Sequence, residues 1–396
     1  MKNGGLFILL LVLSSRLFAA QSVDDTLFFK QSVSVLKMIE PLQLKDDQGV
    51  LNGSFPSYRK YFYSKKIRKE DNVFFTSLIL FNLGQFSEFM QPDEKLIFEL
   101  CKSNAVAYIN RFKNEKNQLT YNFWPRNPPI IFPNGGWLNQ FNNQFALADD
   151  IDDAAITLLA LGVNDTIAKA MQSKFQEYRV GKIKTNRSFY RRFRNRPVYS
   201  TWLGHKMPKD VDLSVLTNVL LMHTKAGIPL NATDTASLDL IVDLIKANKH
   251  IKDPKFVSQH YAHRATILYH VARLIYVSDY PPLLAMKSEL LDQSLQLLKQ
   301  STYPLEQLLL HTSILRLGGK VDNSFSINAQ ALLKNDYPYF VANIASVLNN
   351  PMKRMVNASN LVRFDYYSYA FNLSLLYEYW MLRGLSSKYG LPPVGR

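Results

Sequence analysis

The sequence predicts an all-α protein built as a single (α/α)6 toroid, a barrel of six inner helices ringed by six outer ones. Two observations predict it: helical segments of two kinds alternate along the chain, and strand signals are weak throughout. A third separates the toroid from an α-solenoid. Solenoid repeats keep a near-constant length, whereas the repeats here are spaced by roughly forty to eighty residues.

The first element is a short positive start, Met1-Lys2-Asn3, followed by an apolar core and small residues up to Ala19 and Ala20. That order is a secretory signal peptide over 1–20, leaving the toroid over 21–396 as the exported protein, periplasmic or secreted. The apolar run is too short for a membrane span, and no later segment supplies one. Beyond it, amphipathic segments with a charged face run over 25–40, 93–112, 165–178, 233–248, 283–299 and, more broken, 326–348. Segments apolar on most faces run over 72–83, 152–161, 212–223, 262–275, 305–317 and 366–382. A helix with one polar stripe faces water and one apolar all round is buried, so the first set is the outer ring and the second the inner. Cys101 is the only cysteine, which excludes an intramolecular disulfide and reads as a small buried hydrophobe.

The long connection 114–148 is rich in aromatics, including Trp124 and Trp137, and is expected to be an ordered cap on the cavity. The two indoles suit stacking on a sugar ring or enclosing a hydrophobic ligand; the alternative is that they anchor the cap. The cap leads into Asp149-Asp150-Ile151-Asp152-Asp153, four carboxylates in five residues ahead of an apolar helix. Crowded carboxylates cannot all ionise freely, so at least one is expected to hold a proton near neutral pH. Asp149, Asp150, Asp152 and Asp153 are each candidates for that acid, for tuning it by neighbouring charge, or for contact with the ligand. The alternative is helix capping, for which aspartate is favoured. No cofactor is required; Mg or Ca held by the cluster stays open as a further alternative, and Asp149, Asp150 and Asp153 spell a D-D-x-x-D that resembles the diphosphate–magnesium motif of class I prenyl enzymes.

Other candidates surround this cluster. Asp212 opens the next apolar helix, and Asn218 follows it as further polar lining. Asp71 lies at a third acidic helix start. Arg191 and Arg192 stand in the basic, aromatic stretch 187–196, where guanidiniums suit capture of carboxylate or phosphate. His260 and His263 read as hydrogen-bonded core or cavity residues rather than metal ligands. A net charge of +15 favours anionic partners. Export and the lack of any nucleic-acid motif argue against nucleic acid, leaving a small-molecule or oligosaccharide ligand. No nucleophile elbow, P-loop or dinucleotide fingerprint occurs.

Asp150-Ile151-Asp152-Asp153-Ala154-Ala155 resembles the D-x-D-D-T-A motif of class II terpene cyclases, within the terpenoid cyclase and prenyltransferase superfamily of α/α toroids. The resemblance is close over 149–161 and rests on the repeat pattern elsewhere. It implies a toroid in which Asp152 protonates an alkene or epoxide. Ala154 replaces the usual threonine, and the repeated Q-W motifs of such cyclases are missing. Exported α/α toroids also include glycoside hydrolases and polysaccharide lyases, where Asp152 would act with Asp71 or Asp212. A non-catalytic envelope protein binding anionic ligands is the third class.

Overall fold

The structure is a computed structural model that describes residues 25–114, 119–126, 148–181, 186–204, 207–322, 324–334, 337–343, 345 and 348–390. The signal segment 1–20 and Trp137 lie outside the described residues. In chain order the elements are α1 (Asp25–Ile39), β1 (Ser57–Tyr61), β2 (Ile67–Glu70), α2 (Val73–Gly84), α3 (Pro92–Asn110), α4 (Ile151–Leu161), α5 (Asp165–Glu177), α6 (Leu213–Lys225) and α7 (Ala232–Lys246). They continue with α8 (Arg264–Val277), α9 (Lys287–Leu298), α10 (Pro304–Arg316), β3 (Phe340–Asn343), α11 (Met352–Ser359), β4 (Arg363–Tyr367) and α12 (Tyr369–Tyr389). Helix predominates, and none of the described helices is long and apolar enough to cross a membrane.

The alternation in the sequence becomes a difference in burial. In α2 every residue from Val73 to Leu83 is buried, and α6, α8 and α10 are buried along nearly their whole length. In α5, by contrast, only Ala168, Met171 and Phe175 are buried, the one-face spacing of a helix whose other side meets water. Neighbouring contacts run α2 to α4, α4 to α6, α6 to α8, α8 to α10, α10 to α12, and from α12 back to α2. Helices α1, α3, α5, α7 and α9 pack against these from one side each. Buried hydroxyls and amides set the register between inner neighbours: Ser77 meets Thr157 at 3.0 Å, and Asn82 donates to Ser374 at 3.1 Å. In a dry interface such pairs must match, because an unpaired polar group there costs about 1–3 kcal/mol. Gly384 lets α1 approach α12, since a Cβ there would come within 2.8 Å of the Phe29 ring.

The expectation of an all-α chain needs correction. Four short strands form an antiparallel sheet in the order β2-β1-β4-β3. Tyr58 pairs with Tyr367 and Phe340 with Tyr366, so the sheet joins segments from the two halves of the chain. β2 and β4 end close before α2 and α12, which places the sheet at the N-terminal ends of these helices. The segment 326–348, expected as a sixth outer helix, instead holds a 3-10 turn at Ala329–Leu333 and strand β3. Pro338 lies within it, and proline has no N–H to give a helix. The expected helix 366–382 begins as strand through Tyr367, and 283–299 is divided into a turn at Pro281–Leu284 and α9. Cys101 is fully buried in α3, and burial pushes its thiol up to about 12, as befits an inert hydrophobe.

Candidate functional site

The aspartate cluster opens α4, and each of its carboxyls does something different. Asp150 is the N-cap: its Oδ1 accepts from the Asp153 N–H at 2.7 Å. The backbone around it is clamped to the loop before α6, through Ile151 N–H to the Thr201 carbonyl at 3.0 Å and Leu203 N–H to the Asp149 carbonyl at 2.9 Å. Asp149 is the anchor of the cap segment. It accepts from Asn114 Nδ2 at 2.6 Å, Thr120 Oγ1 at 2.7 Å and Asn122 Nδ2 at 3.3 Å, with the Arg126 guanidinium at 3.9 Å. These four contacts tie residues 114, 120, 122 and 126 to the start of α4.

Asp152 points the other way, toward α6 and the segment before α8. Asn218 Nδ2 donates to its Oδ1 at 2.7 Å, and the Tyr261 hydroxyl donates to its Oδ2 at 2.5 Å. Only 5% of the residue is exposed. Burial raises its carboxyl to about 8, helped by the charge of Asp150 and less by Asp212; the donors Tyr261 and Asn218 pull the other way. Each carboxyl oxygen has two lone-pair directions, so a proton fits without breaking either bond. Asp153 is deeper still, and its carboxyl hydrogen-bonds with that of Asp150 when one of the two carries a proton. Burial and then the Asp150 charge push it well above the carboxylate range, which makes it a neutral acid locked beneath the site.

An aromatic layer adjoins Asp152. The Tyr261 ring lies 6.3 Å from Phe74 and 5.6 Å from Phe340, and Phe340 is stacked on Phe123 at 5.5 Å and on His260 at 5.9 Å. On its other flank, Tyr366 lies 5.5 Å from Phe123 and donates to Glu70 Oε1 at 3.3 Å. Burial raises the Glu70 carboxyl to about 7 although Arg59, 3.3 Å from Oε2, draws it down. Two carboxyls with raised pKa thus flank one aromatic layer at the end where the sheet sits.

The remaining candidates separate from this centre. Trp124 donates its Nε1–H to Glu70 at 3.0 Å and is 7% exposed, which anchors the cap and fixes Glu70. Asp212 caps α6, accepting from the Ser214 and Val215 N–H groups, the Ser258 hydroxyl at 2.5 Å and the His260 N–H at 2.9 Å. With four donors it is saturated and serves as a cap. Asp71 accepts from Arg111, the C-cap residue of α3, at 3.0 Å and from Tyr108 within α3 at 2.8 Å. Arg191 and Arg192 are exposed, the latter over the Phe193 ring at 5.4 Å. His260 stacks in the aromatic layer, while His263 is the N-cap residue of α8, and burial lowers its imidazole to about 4. Among the described residues no three His, Cys, Asp or Glu side chains converge to hold a metal ion.

Sequence reasoning named Asp152 and Asn218, saw Glu70 only as part of the acidic start before α2, and missed Tyr261 and Arg273. Glu70 stood in the acidic run with Asp71, and only its apolar surroundings mark it out. Arg273 is legible in hindsight as a lone arginine within an apolar helix, where an arginine is seldom buried without a partner. It is 1% exposed, and its Nη2 donates to Asn218 Oδ1 at 2.6 Å, continuing the chain from Asp152. No protein-family model, curated protein or solved structure matches this chain.

Proposed function

We propose that this protein is an exported enzyme that works by general-acid chemistry at the sheet end of an (α/α)6 toroid, with Asp152 as the acid. The observation that carries the reading is the state of Asp152: a buried carboxyl raised to about 8, oriented through both oxygens by Asn218 and Tyr261. An acid of that pKa keeps its proton at neutral pH and is matched to protonating a substrate there. The cyclic order of contacts through α2, α4, α6, α8, α10 and α12 supports the toroid. The outer ring then has five helices, with the sheet in the place of a sixth. The resemblance to class II terpene cyclases selects the same aspartate, and the aromatic rings beside it suit an acid-initiated reaction whose cationic intermediate needs shielding.

A second reading, cleavage of a glycoside, is favoured by Glu70. Its raised carboxyl lies across the aromatic layer from Asp152, and glycosidases work with two carboxyls of unlike protonation. Assays of the processed protein on isoprenoid and oligosaccharide panels separate the two. In either case Asp152→Asn is expected to lower turnover by roughly 10²–10⁴-fold while the variant stays folded. Full turnover by a folded Asp152→Asn protein would remove Asp152 as the acid.

A further inference from the structure

The opposite end of the ring carries a second feature that the acid chemistry does not use. The C-terminal parts of α2, α6, α8, α10 and α12 converge on a small recess of about 30 Å³. Three cationic side chains line it: Lys225, Arg273 and Arg316. Arg273 and Arg316 are 1% and 3% exposed, so their charges are withdrawn from water. Only part of their hydrogen-bonding capacity is met. Arg273 commits Nη2 to Asn218, but its Nε and Nη1 have no acceptor among the described residues. Arg316 gives Nη2 to Gln85 Oε1 at 2.9 Å and stands 2.8 Å from Glu378 Oε1 as an ion pair, and its Nε is likewise without an acceptor.

The charge is also unbalanced. Glu378 is the buried carboxylate beside these groups, and it also accepts from Tyr269 at 2.8 Å. Ring faces offset a further part, with Arg273 over Phe81 and Tyr269 at 5.2 Å and Arg316 over Tyr276 at 5.5 Å. The carbonyl ends of the converging helices contribute in the same sense. Rings and dipoles carry no full charge, however, and a guanidinium cannot release its proton to escape burial. Glu88 faces Lys225 as a second carboxylate, so three cations and two carboxylates leave a formal excess of one positive charge around a recess lined by unsatisfied N–H donors. Planar guanidiniums match the paired oxygens of a carboxylate or phosphate.

We infer that this recess, between Arg273, Arg316 and Lys225, is a binding site for a small oxyanion, a carboxylate or a phosphate. It lies apart from the acidic site and stands whether or not Asp152 is catalytic. Lys225 at the exposed mouth guides the anion in, and the two arginines grip it inside.

The test uses the processed protein in low-salt buffer at pH 7, titrated with sodium phosphate, sodium acetate or, at matched ionic strength, sodium chloride. Thermal unfolding is the readout, because a ligand bound only by the folded state raises the melting temperature with its concentration. Phosphate or acetate is expected to give a saturable rise above the chloride control. Arg316→Gln and Lys225→Gln are each expected to weaken the half-saturating concentration about tenfold, the loss of one charge-assisted contact. Saturation with phosphate alone assigns a phosphate, and with acetate alone a carboxylate. Equal responses to all three salts, or unchanged half-saturation in Lys225→Gln, overturn the site. Lys225 is exposed, so that variant keeps the test decisive if Arg316→Gln fails to fold.

Discussion

Near the sheet, burial holds the carboxyls Asp152, Asp153 and Glu70, with one buried guanidinium, Arg59, beside Glu70; at the C-terminal parts of α8 and α10 it holds the guanidiniums Arg273 and Arg316, with one buried carboxylate, Glu378, beside them. Both ends withdraw charge from water, where an isolated ion costs far more than any single contact returns. A carboxyl escapes by taking up a proton, and burial raises Asp152, Asp153 and Glu70 accordingly. A guanidinium has no such route and must be matched by an opposite charge. Glu378 matches one, which leaves the rest to ring faces or to a bound anion. One end therefore stores a transferable proton and the other a fixed positive charge. Asn218 touches both, donating to Asp152 and accepting from Arg273.

The largest effect that separates the ends is the pH dependence of stability. The folded carboxyl of Asp152 titrates near 8 against 3.8 for the free group, so between these values the folded state binds the extra proton. Stability from this group is present below about pH 4 and is lost as pH rises through 8. The full difference is on the order of 5 kcal/mol at most. Asp152→Asn is expected to flatten this slope, leaving the variant more stable than the wild type at pH 9 relative to pH 5. Urea unfolding at the two pH values measures it, and parallel profiles for both proteins would break the comparison.

A smaller effect comes from the donors. Tyr261→Phe removes one hydrogen bond that favours the ionised form, so the Asp152 pKa is expected to rise further. The variant should lose about 1 kcal/mol at pH 6, where the acid is neutral, and more at pH 9, where the carboxylate needs the donor. Equal losses at both pH values would mean that the hydroxyl does not sense the charge. The smallest effect is expected from Arg191→Gln with Arg192→Gln. Both side chains are exposed, and surface changes of this kind stay within about 0.5 kcal/mol. Because the fixed charge of the inner recess is carried by Arg273 and Arg316, the double variant should also leave the phosphate and acetate responses intact; a loss of those responses would move the anion contacts to the basic loop.

What was legible in the sequence follows the same division. The helix alternation shows because it repeats over whole segments, and Asp152 because four acids crowd one helix start. The sheet did not show: its strands are four or five residues long, and β2 is charged along its outer edge. Their pairing joins Tyr58 to Tyr367, a relation no local pattern carries. Asp149 and Asp212 look equivalent to Asp152 in sequence and differ only in the donors the fold brings to them. Asp149 receives Asn114, Thr120 and Asn122, and Asp212 receives Ser258 and the backbone of His260. The roles of Glu70 and Arg273 were hidden for a related reason, since they depend on burial by residues far along the chain.

The central claim is that Asp152 holds its proton at neutral pH. Carbon-13 labelling of the aspartate carboxyls, with the Asp152 signal assigned by its loss in Asp152→Asn, reads this directly. A carboxyl shift that moves with a midpoint near 8 is the result the account requires. A midpoint near the ordinary aspartate value of about 4 would show Asp152 ionised at neutral pH and contradict its role as the acid.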